Sequence, residues 1–144
     1  MCYGFLRAAS GCGFGMTRKL YEAIGEFDES LRRLEDLDYS WRVQLSGVVI
    51  QLVTDAVVQY RHPATLHGLF RQAYFDGISE LDLNRKFAAA GMRPRTWNRV
   101  LASWCGLLRT LPLFGDRTRR GQWVVRAAEL LGWMTGRIGG APAG

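Results

Sequence analysis

The sequence predicts an α/β fold in which a short mixed sheet, formed by roughly the first 60 residues, is followed mostly by helices. Two β-branched runs, residues 48–53 and 56–60, are short and apolar, as buried strands are. Beyond residue 65, apolar residues recur at three- and four-residue intervals, the spacing of helices, and glycine and proline separate the segments.

The composition is that of a globular domain or of a piece of a larger protein. The chain has 144 residues, of which 48% are hydrophobic, enough for a packed core. Its three cysteines are far apart and form neither a metal-ligand spacing nor a disulfide framework, which favours a reducing compartment. The sequence shows no secretory signal and no run of ~18 apolar residues, so we expect a cytoplasmic location.

The net charge of +6 is unevenly distributed along the chain. Residues 1–84 carry 8 Lys+Arg and 11 Asp+Glu, a net of −3, whereas residues 85–144 carry 11 and 2, a net of +9. We therefore predict two regions with this boundary and expect an anionic partner for the basic one. We expect no nucleic-acid partner, because no reading motif is recognisable and the aromatics follow the helical spacing of core residues.

The first region begins with a glycine-rich turn and a short helix. Gly11 and Gly13 belong to an alternating run of glycine and larger residues. Such a run suits either a loop that lines a substrate pocket or a strand on which another element packs closely. Thr17 is a favourable N-cap for a helix over residues 18–24, and Gly25 is a favourable residue to end it.

An acidic segment opens the next predicted helix, over residues 35–46. Glu35 and Asp36 lie at its start, where backbone N–H groups favour negative charge. Two interpretations stay open: the pair complements the helix dipole, or it binds sugar hydroxyls and supplies a general base. Asp38 and Arg42 are four residues apart and can pair on the polar side of this helix.

His62 lies where the second predicted strand ends, because Pro63 cannot continue a strand ladder. Functional side chains are often displayed at such positions, although a surface or half-buried histidine is the more common case.

Three helical patterns follow, over residues 65–90, 97–114 and 116–138. Arg71 and Gln72 in the first stand beside aromatic residues, where they can contact a phosphate or a base, or be solvated neighbours of a core stripe. The other two combine tryptophan with arginine. That combination suits a membrane interface or a helical pair packed on a partner domain.

Five features occur in order along the first half of the chain. They are the glycine turn followed by Thr17-Arg18-Lys19, the phrase Ile24-Gly25-Glu26-Phe27-Asp28-Glu29, the acidic stretch Glu35-Asp36-Leu37-Asp38-Tyr39-Ser40-Trp41-Arg42, Gly47 with the apolar run after it, and residues 55–58 leading to Arg61-His62-Pro63. Together they resemble the second half of a family 2 glycosyltransferase catalytic domain of the GT-A type, whose fold is Rossmann-like.

The resemblance implies roles for individual residues. Asp36 would deprotonate the acceptor hydroxyl in an inverting transfer, and Glu35 would bind the acceptor or hold Asp36. His62 would match a downstream histidine that reaches the metal or the donor diphosphate. The remaining candidates are substrate-binding residues: Gly11, Cys12 and Gly13 near the donor sugar, with Asp38, Arg71 and Gln72.

The departures from the family pattern concern the donor. Neither the nucleotide-binding half nor the Asp-x-Asp metal motif of that half is present in this sequence, and Gln72 is not followed by the Arg-Trp of processive relatives. For the full-length family the resemblance implies a divalent cation, Mg²⁺ or Mn²⁺, because a diphosphate leaving group needs a positive clamp.

The enzyme hypothesis therefore describes a partial chain. It implies a nucleotide-sugar donor, a glycan or lipid-linked acceptor, and peripheral contact with the inner face of a membrane. A missing N-terminal half or a second copy of the chain would be its protein partner. It also implies that Asp36, His62 and the Gly11 turn converge on one cleft.

The alternative hypothesis is non-enzymatic. In it, a small basic module binds a membrane surface or a partner protein through its C-terminal helices, and vesicle binding depends on anionic lipid and weakens with salt.

Overall fold

The computed structural model describes residues 3–110 and 116–140, and every regular element in these ranges is a helix. The helices are α1 (Arg18–Ile24), α2 (Glu35–Leu45), α3 (Leu66–Phe87), α4 (Trp97–Arg109) and α5 (Arg117–Ile138). The chain forms two compact units, Met1–Arg61 with α1 and α2, and His62–Gly144 with α3 to α5. Residues 111–114, which end the second of the three predicted helical patterns, lie outside the described ranges.

The prediction of an α/β fold with a mixed sheet is wrong, and with it the expectation of a GT-A, Rossmann-like sheet. Residues 48–60 are irregular, and Leu52 and Val57 are 87% and 82% exposed. The backbone N–H groups of this segment bond locally, as the Ala56 N–H does to the Val53 carbonyl at 3.2 Å. A strand satisfies its backbone only through a neighbouring strand, and β propensity measures fit to a half-buried pleated surface. The described part of the chain provides no such surface for this segment.

The predicted ends of α1 are confirmed. The Thr17 side chain accepts a hydrogen bond from the Leu20 N–H at 3.3 Å, which satisfies one of the free donors of the first turn. Gly25 ends the helix with a φ of 86°, a conformation that glycine adopts without steric cost. The Gly25 N–H also donates to the Tyr21 carbonyl at 2.9 Å.

The core of the first unit forms around α2. Tyr39 and Trp41 are only 1% and 0% exposed. The ring of Phe5 meets Trp41 edge-on at 5.2 Å between centroids, and the ring of Phe27 stacks on Tyr39 at 4.5 Å. Because α1 has no buried residue, these aromatic contacts supply much of the apolar burial that holds the unit together.

In the second unit, α3 and α5 cross at backbone contact distance. A Cβ at Gly77 would overlap the Glu129 carbonyl, and a Cβ at Gly132 would overlap the Tyr74 carbonyl. Glycine is therefore required at both positions of the crossing, since any side chain would push the helices apart. Helix α4 adds to a buried apolar cluster formed with these helices; its members are Leu81, Val100, Leu107, Ala127, Leu130 and Trp133.

A buried acid lies in this second unit. Glu80 on α3 is 3% exposed and pairs with Arg95, whose Nε and Nη2 lie 3.1 and 2.8 Å from its two carboxylate oxygens. Burial raises the pKa of Glu80 to about 7, against the opposing effect of Arg95 and with the help of Glu129. Burial likewise raises the pKa of Glu129 on α5, where Arg95 opposes the shift and Asp76 adds to it.

Gly132→Ala should destabilise the second unit. The added methyl group would overlap a backbone carbonyl that cannot move without separating α3 from α5, so we expect a loss of about 1–3 kcal/mol or more in urea unfolding. Gly106→Ala on α4 is the matched control, because no described atom beyond its chain neighbours and the backbone of its own helix lies within 4 Å of its added Cβ. That control should be neutral or gain about 0.5–1 kcal/mol, and equal losses in both variants would contradict the close crossing.

The stability of the chain should fall as pH rises toward neutrality. Glu80 has a higher pKa when folded than when unfolded, so the folded state binds more protons between the model-peptide range and about 7. The associated stability is present at low pH and is lost as pH rises through the folded pKa. Glu80→Gln should flatten this dependence in unfolding measured from pH 5 to 8, leaving the smaller contribution of Glu129.

Asp82→Asn is the control for this titration. Its carboxylate lies on the exposed side of α3, 3.0 Å from Arg85, with a side-chain exposure of 34%. An unchanged pH slope in Glu80→Gln, or an equal flattening in Asp82→Asn, would contradict the assignment to Glu80.

Candidate functional site

An open cleft of about 540 Å³ lies in the first unit. This volume falls within the ~300–1,000 Å³ range of small-ligand sites. The lining combines apolar side chains, Phe14, Met16 and Phe27, which we call the aromatic wall, with two carboxylates, Glu35 and Asp36, which we call the acidic wall. The lining residues are Gly11, Phe14, Gly15, Met16, Phe27, Glu35 and Asp36.

Asp36 is held at this cleft by two backbone donors. The Gly11 N–H donates to Oδ2 at 2.9 Å, and the Leu37 N–H donates to Oδ1 at 2.9 Å. Each carboxylate oxygen thus has one fixed donor and keeps acceptor capacity for a ligand hydroxyl. The carboxylate is oriented before a ligand arrives, as a binding group or a general base requires.

The acidic helix starts from an unusual backbone conformation. Leu34, the N-cap of α2, has a φ of 67° and a ψ of 22°, in the left-handed region that non-glycine residues rarely adopt. Its carbonyl accepts bonds from the N–H groups of Leu37 and Asp38 at 3.1 Å each, which hold the conformation in place. A strained backbone directly beside two acidic cleft residues is a feature of many functional sites.

The predicted pairing of Asp38 with Arg42 is confirmed, and it is structural. Arg42 Nε lies 2.9 Å from Asp38 Oδ2, and Asp38 is 0% exposed. The other two guanidinium nitrogens donate to the carbonyls of Ile24 and Glu26 at 3.0 and 2.7 Å. Asp38 therefore lies in the interior rather than on the cleft, where its predicted substrate role would place it.

Of the three predicted site residues in the glycine turn, Gly11, Cys12 and Gly13, only the first lines the cleft. Gly11 lines the cleft and contacts Asp36. Cys12 is exposed with its sulfur 3.2 Å from the Ser10 hydroxyl, and Gly13 lies against Val58, at 3.3 Å from an added Cβ. Neither Cys12 nor Gly13 is among the residues that line the cleft.

The structure thus brings together three predicted site residues, Gly11, Glu35 and Asp36. His62, Arg71 and Gln72 belong to the second unit, the first at its start and the others on α3. Their roles toward a donor stay predictions. Within residues 3–110 and 116–140, no group of three or more His, Cys, Asp or Glu side chains is arranged to hold a metal ion.

The sequence analysis did not predict the aromatic wall of the cleft. Phe14 and Phe27 have ring centroids 6.2 Å apart, and both stand near the ring of Tyr39. The Tyr39 hydroxyl donates to the Met16 sulfur at 3.1 Å. The available signal was the alternation of Phe14 and Met16 with glycine, which places two large side chains on one side of an extended segment.

No protein-family model, curated protein or solved structure matches the chain. The resemblance to family 2 glycosyltransferases therefore rests on the five ordered sequence features alone.

Arg42→Met should destabilise the first unit by about 3–5 kcal/mol, because it removes the guanidinium that pairs with the buried Asp38 carboxylate. Thermal and urea unfolding would measure the loss. Arg18→Met, at the exposed first position of α1, is the matched control and should change stability by less than about 0.5 kcal/mol. A small effect of Arg42→Met would show that the network does not hold the unit together.

Proposed function

We propose that the first unit carries the acceptor site of a glycosyltransferase, which moves a sugar from a nucleotide-sugar donor to an acceptor hydroxyl. The observation that carries the proposal is Asp36, fixed by two backbone N–H groups at an aromatic cleft. The resemblance of the acidic stretch to the family 2 pattern supports the same assignment.

The cleft has the chemistry that a sugar or polyol acceptor needs. The rings of Phe14 and Phe27 offer apolar surface to the C–H face of a sugar ring. The carboxylates of Glu35 and Asp36 accept hydrogen bonds from its hydroxyls. Glu35 is the more exposed of the two, so it suits binding, whereas the oriented Asp36 suits proton transfer.

In the proposed step the acceptor O–H donates to Asp36. As the acceptor oxygen attacks the anomeric carbon, its proton passes to the carboxylate. The bond from the anomeric carbon to the diphosphate oxygen breaks, and the nucleoside diphosphate leaves with the electron pair. A carboxylate performs this role when it lies ~2.6–3.2 Å from the hydroxyl oxygen.

We propose that the nucleotide-sugar donor binds outside this cleft. A leaving diphosphate requires a divalent cation or an equivalent positive clamp, whereas the charged residues that line the cleft, Glu35 and Asp36, are both acidic. We propose that a nucleotide-binding half, as in the full-length family, completes the enzyme, and that the acceptor is a glycan or a lipid-linked sugar presented at the inner face of a membrane.

Acceptor binding should depend on Asp36. In ligand-observed NMR with the whole chain and a panel of neutral mono- and disaccharides and alkyl glycosides, Asp36→Asn should weaken binding about tenfold, because a charge-assisted hydrogen bond becomes a neutral one. Asp55→Asn is the control, an exposed aspartate of the same unit that does not line the cleft. Equal binding by wild type and Asp36→Asn would contradict the assignment.

Titration with UDP-, GDP- and dTDP-sugars, with and without Mn²⁺, separates the donor from the acceptor. We expect no metal-dependent binding by this chain alone. Metal-dependent binding that His62→Ala abolishes would instead show that the chain holds a donor site of its own.

A further inference from the structure

Helix α4 presents apolar side chains on two adjacent sides. Its inner side is buried: Val100 and Leu107 are 0% and 5% exposed and belong to the core cluster of the second unit. On the neighbouring side, Leu101, Cys105 and Leu108 follow at intervals of four and three residues and therefore share one helix face. These three residues form the outer α4 stripe. Leu101 and Leu108 are each 58% exposed, and Cys105 is exposed.

A tryptophan stands at the start of this helix. Trp97 is 41% exposed, although one edge of its ring meets Trp133 at 5.1 Å between centroids. An indole that is half buried and half exposed is typical of residues that lie at the interface between water and lipid. None of the helices in the described ranges is long and apolar enough to cross a bilayer.

The charge of the second unit is strongly positive. Residues 62–144 carry 12 Lys+Arg and 5 Asp+Glu, a net of +7. Helix α4 itself contains no acidic residue, and Arg109 follows Leu108 directly and is exposed. Arg117 and Arg119 are exposed at the start of α5. Apolar and basic side chains therefore occur together on this helix and at the start of the next one.

Charge favours an anionic bilayer over a second copy of the chain as the surface that covers the outer α4 stripe. In a dimer formed through this stripe, two copies of the second unit, each with a net charge of +7, would face each other and repel. An anionic bilayer supplies both complements, acyl chains for the leucines and negative headgroups for the arginines.

We infer that the outer α4 stripe docks the second unit on the surface of an anionic membrane. The helix lies in the plane of the interface, with Leu101 and Leu108 at the acyl boundary and Arg109 at headgroup level. This inference uses only residues of the second unit and stands independently of sugar binding in the first.

The test is flotation of the whole chain with phosphatidylcholine vesicles, prepared with and without phosphatidylglycerol. The chain should bind the anionic vesicles, and binding should weaken with added salt as the charges are screened. The double variant Leu101→Ser/Leu108→Ser should lose at least about tenfold in partitioning, because two leucine side chains no longer leave water. Both residues are exposed, so its thermal midpoint should stay at the wild-type value.

The matched control replaces two exposed leucine side chains of the first unit by serine. Leu45 and Leu52 are 50% and 87% exposed, and Leu45→Ser/Leu52→Ser should bind vesicles as the wild type does. Arg109→Gln provides a second variant that leaves the apolar contacts untouched. It should weaken binding to anionic vesicles and reduce the salt dependence.

Three outcomes would overturn the inference. The first is equal vesicle binding by the wild type and by Leu101→Ser/Leu108→Ser. The second is equally tight binding to neutral and anionic vesicles. The third is a concentration-dependent dimer, seen by size-exclusion chromatography with light scattering, that the double variant abolishes, since this would assign the stripe to a second copy of the chain.

Discussion

The ion pair between Asp38 and Arg42 is the interaction on which the first unit and its cleft depend. Asp38 is fully buried, and a buried carboxylate is tolerated only when a cation and hydrogen bonds compensate for its lost hydration. Arg42 supplies that compensation and at the same time donates to the carbonyls of Ile24 and Glu26. These bonds tie the end of α1 and the segment before Phe27 to α2. Arg42 therefore joins α2, whose first residues are Glu35 and Asp36, to the chain segment that leads into Phe27.

In the second unit, the helices α3 and α5 are held together by direct contact between their backbones. Gly77 and Gly132 allow α3 and α5 to approach until each helix meets a carbonyl of the other. Such an approach excludes water from the seam, and polar groups near it lose their hydration. Glu80 follows Gly77 by three residues on the same helix and is 3% exposed, and this burial raises its pKa to about 7 even though Arg95 contacts both of its oxygens.

Local signals in the sequence were sufficient for much of the helical structure, whereas long-range pairing was not. Thr17 and Gly25 bound α1 as their backbone preferences predict, and the four-residue spacing of Asp38 and Arg42 was enough to predict their pairing. The prediction of strands over residues 48–60 was wrong because a β-branched composition shows only that a segment would fit into a sheet. It does not show that neighbouring strands are present to form one. Of the cleft, the sequence predicted Gly11 and the two acidic residues, Glu35 and Asp36. Its aromatic wall is formed by the tertiary stacking of Phe27 on Tyr39, which no short sequence window contains.

The two units differ in charge and therefore favour ligands of different charge. In the cleft, Glu35 and Asp36 stand side by side at the start of α2, and two carboxylates raise the energy of an incoming diphosphate through like-charge repulsion. A neutral polyol meets no such penalty and can donate hydrogen bonds to both groups. The cleft therefore favours a neutral polyol over an anionic diphosphate on electrostatic grounds. The net charge of +7 in the second unit has the opposite preference, for anions. Within the proposed function and the inferred membrane docking, a lipid-linked acceptor is the simplest candidate, because the surface that binds the protein would also carry that acceptor.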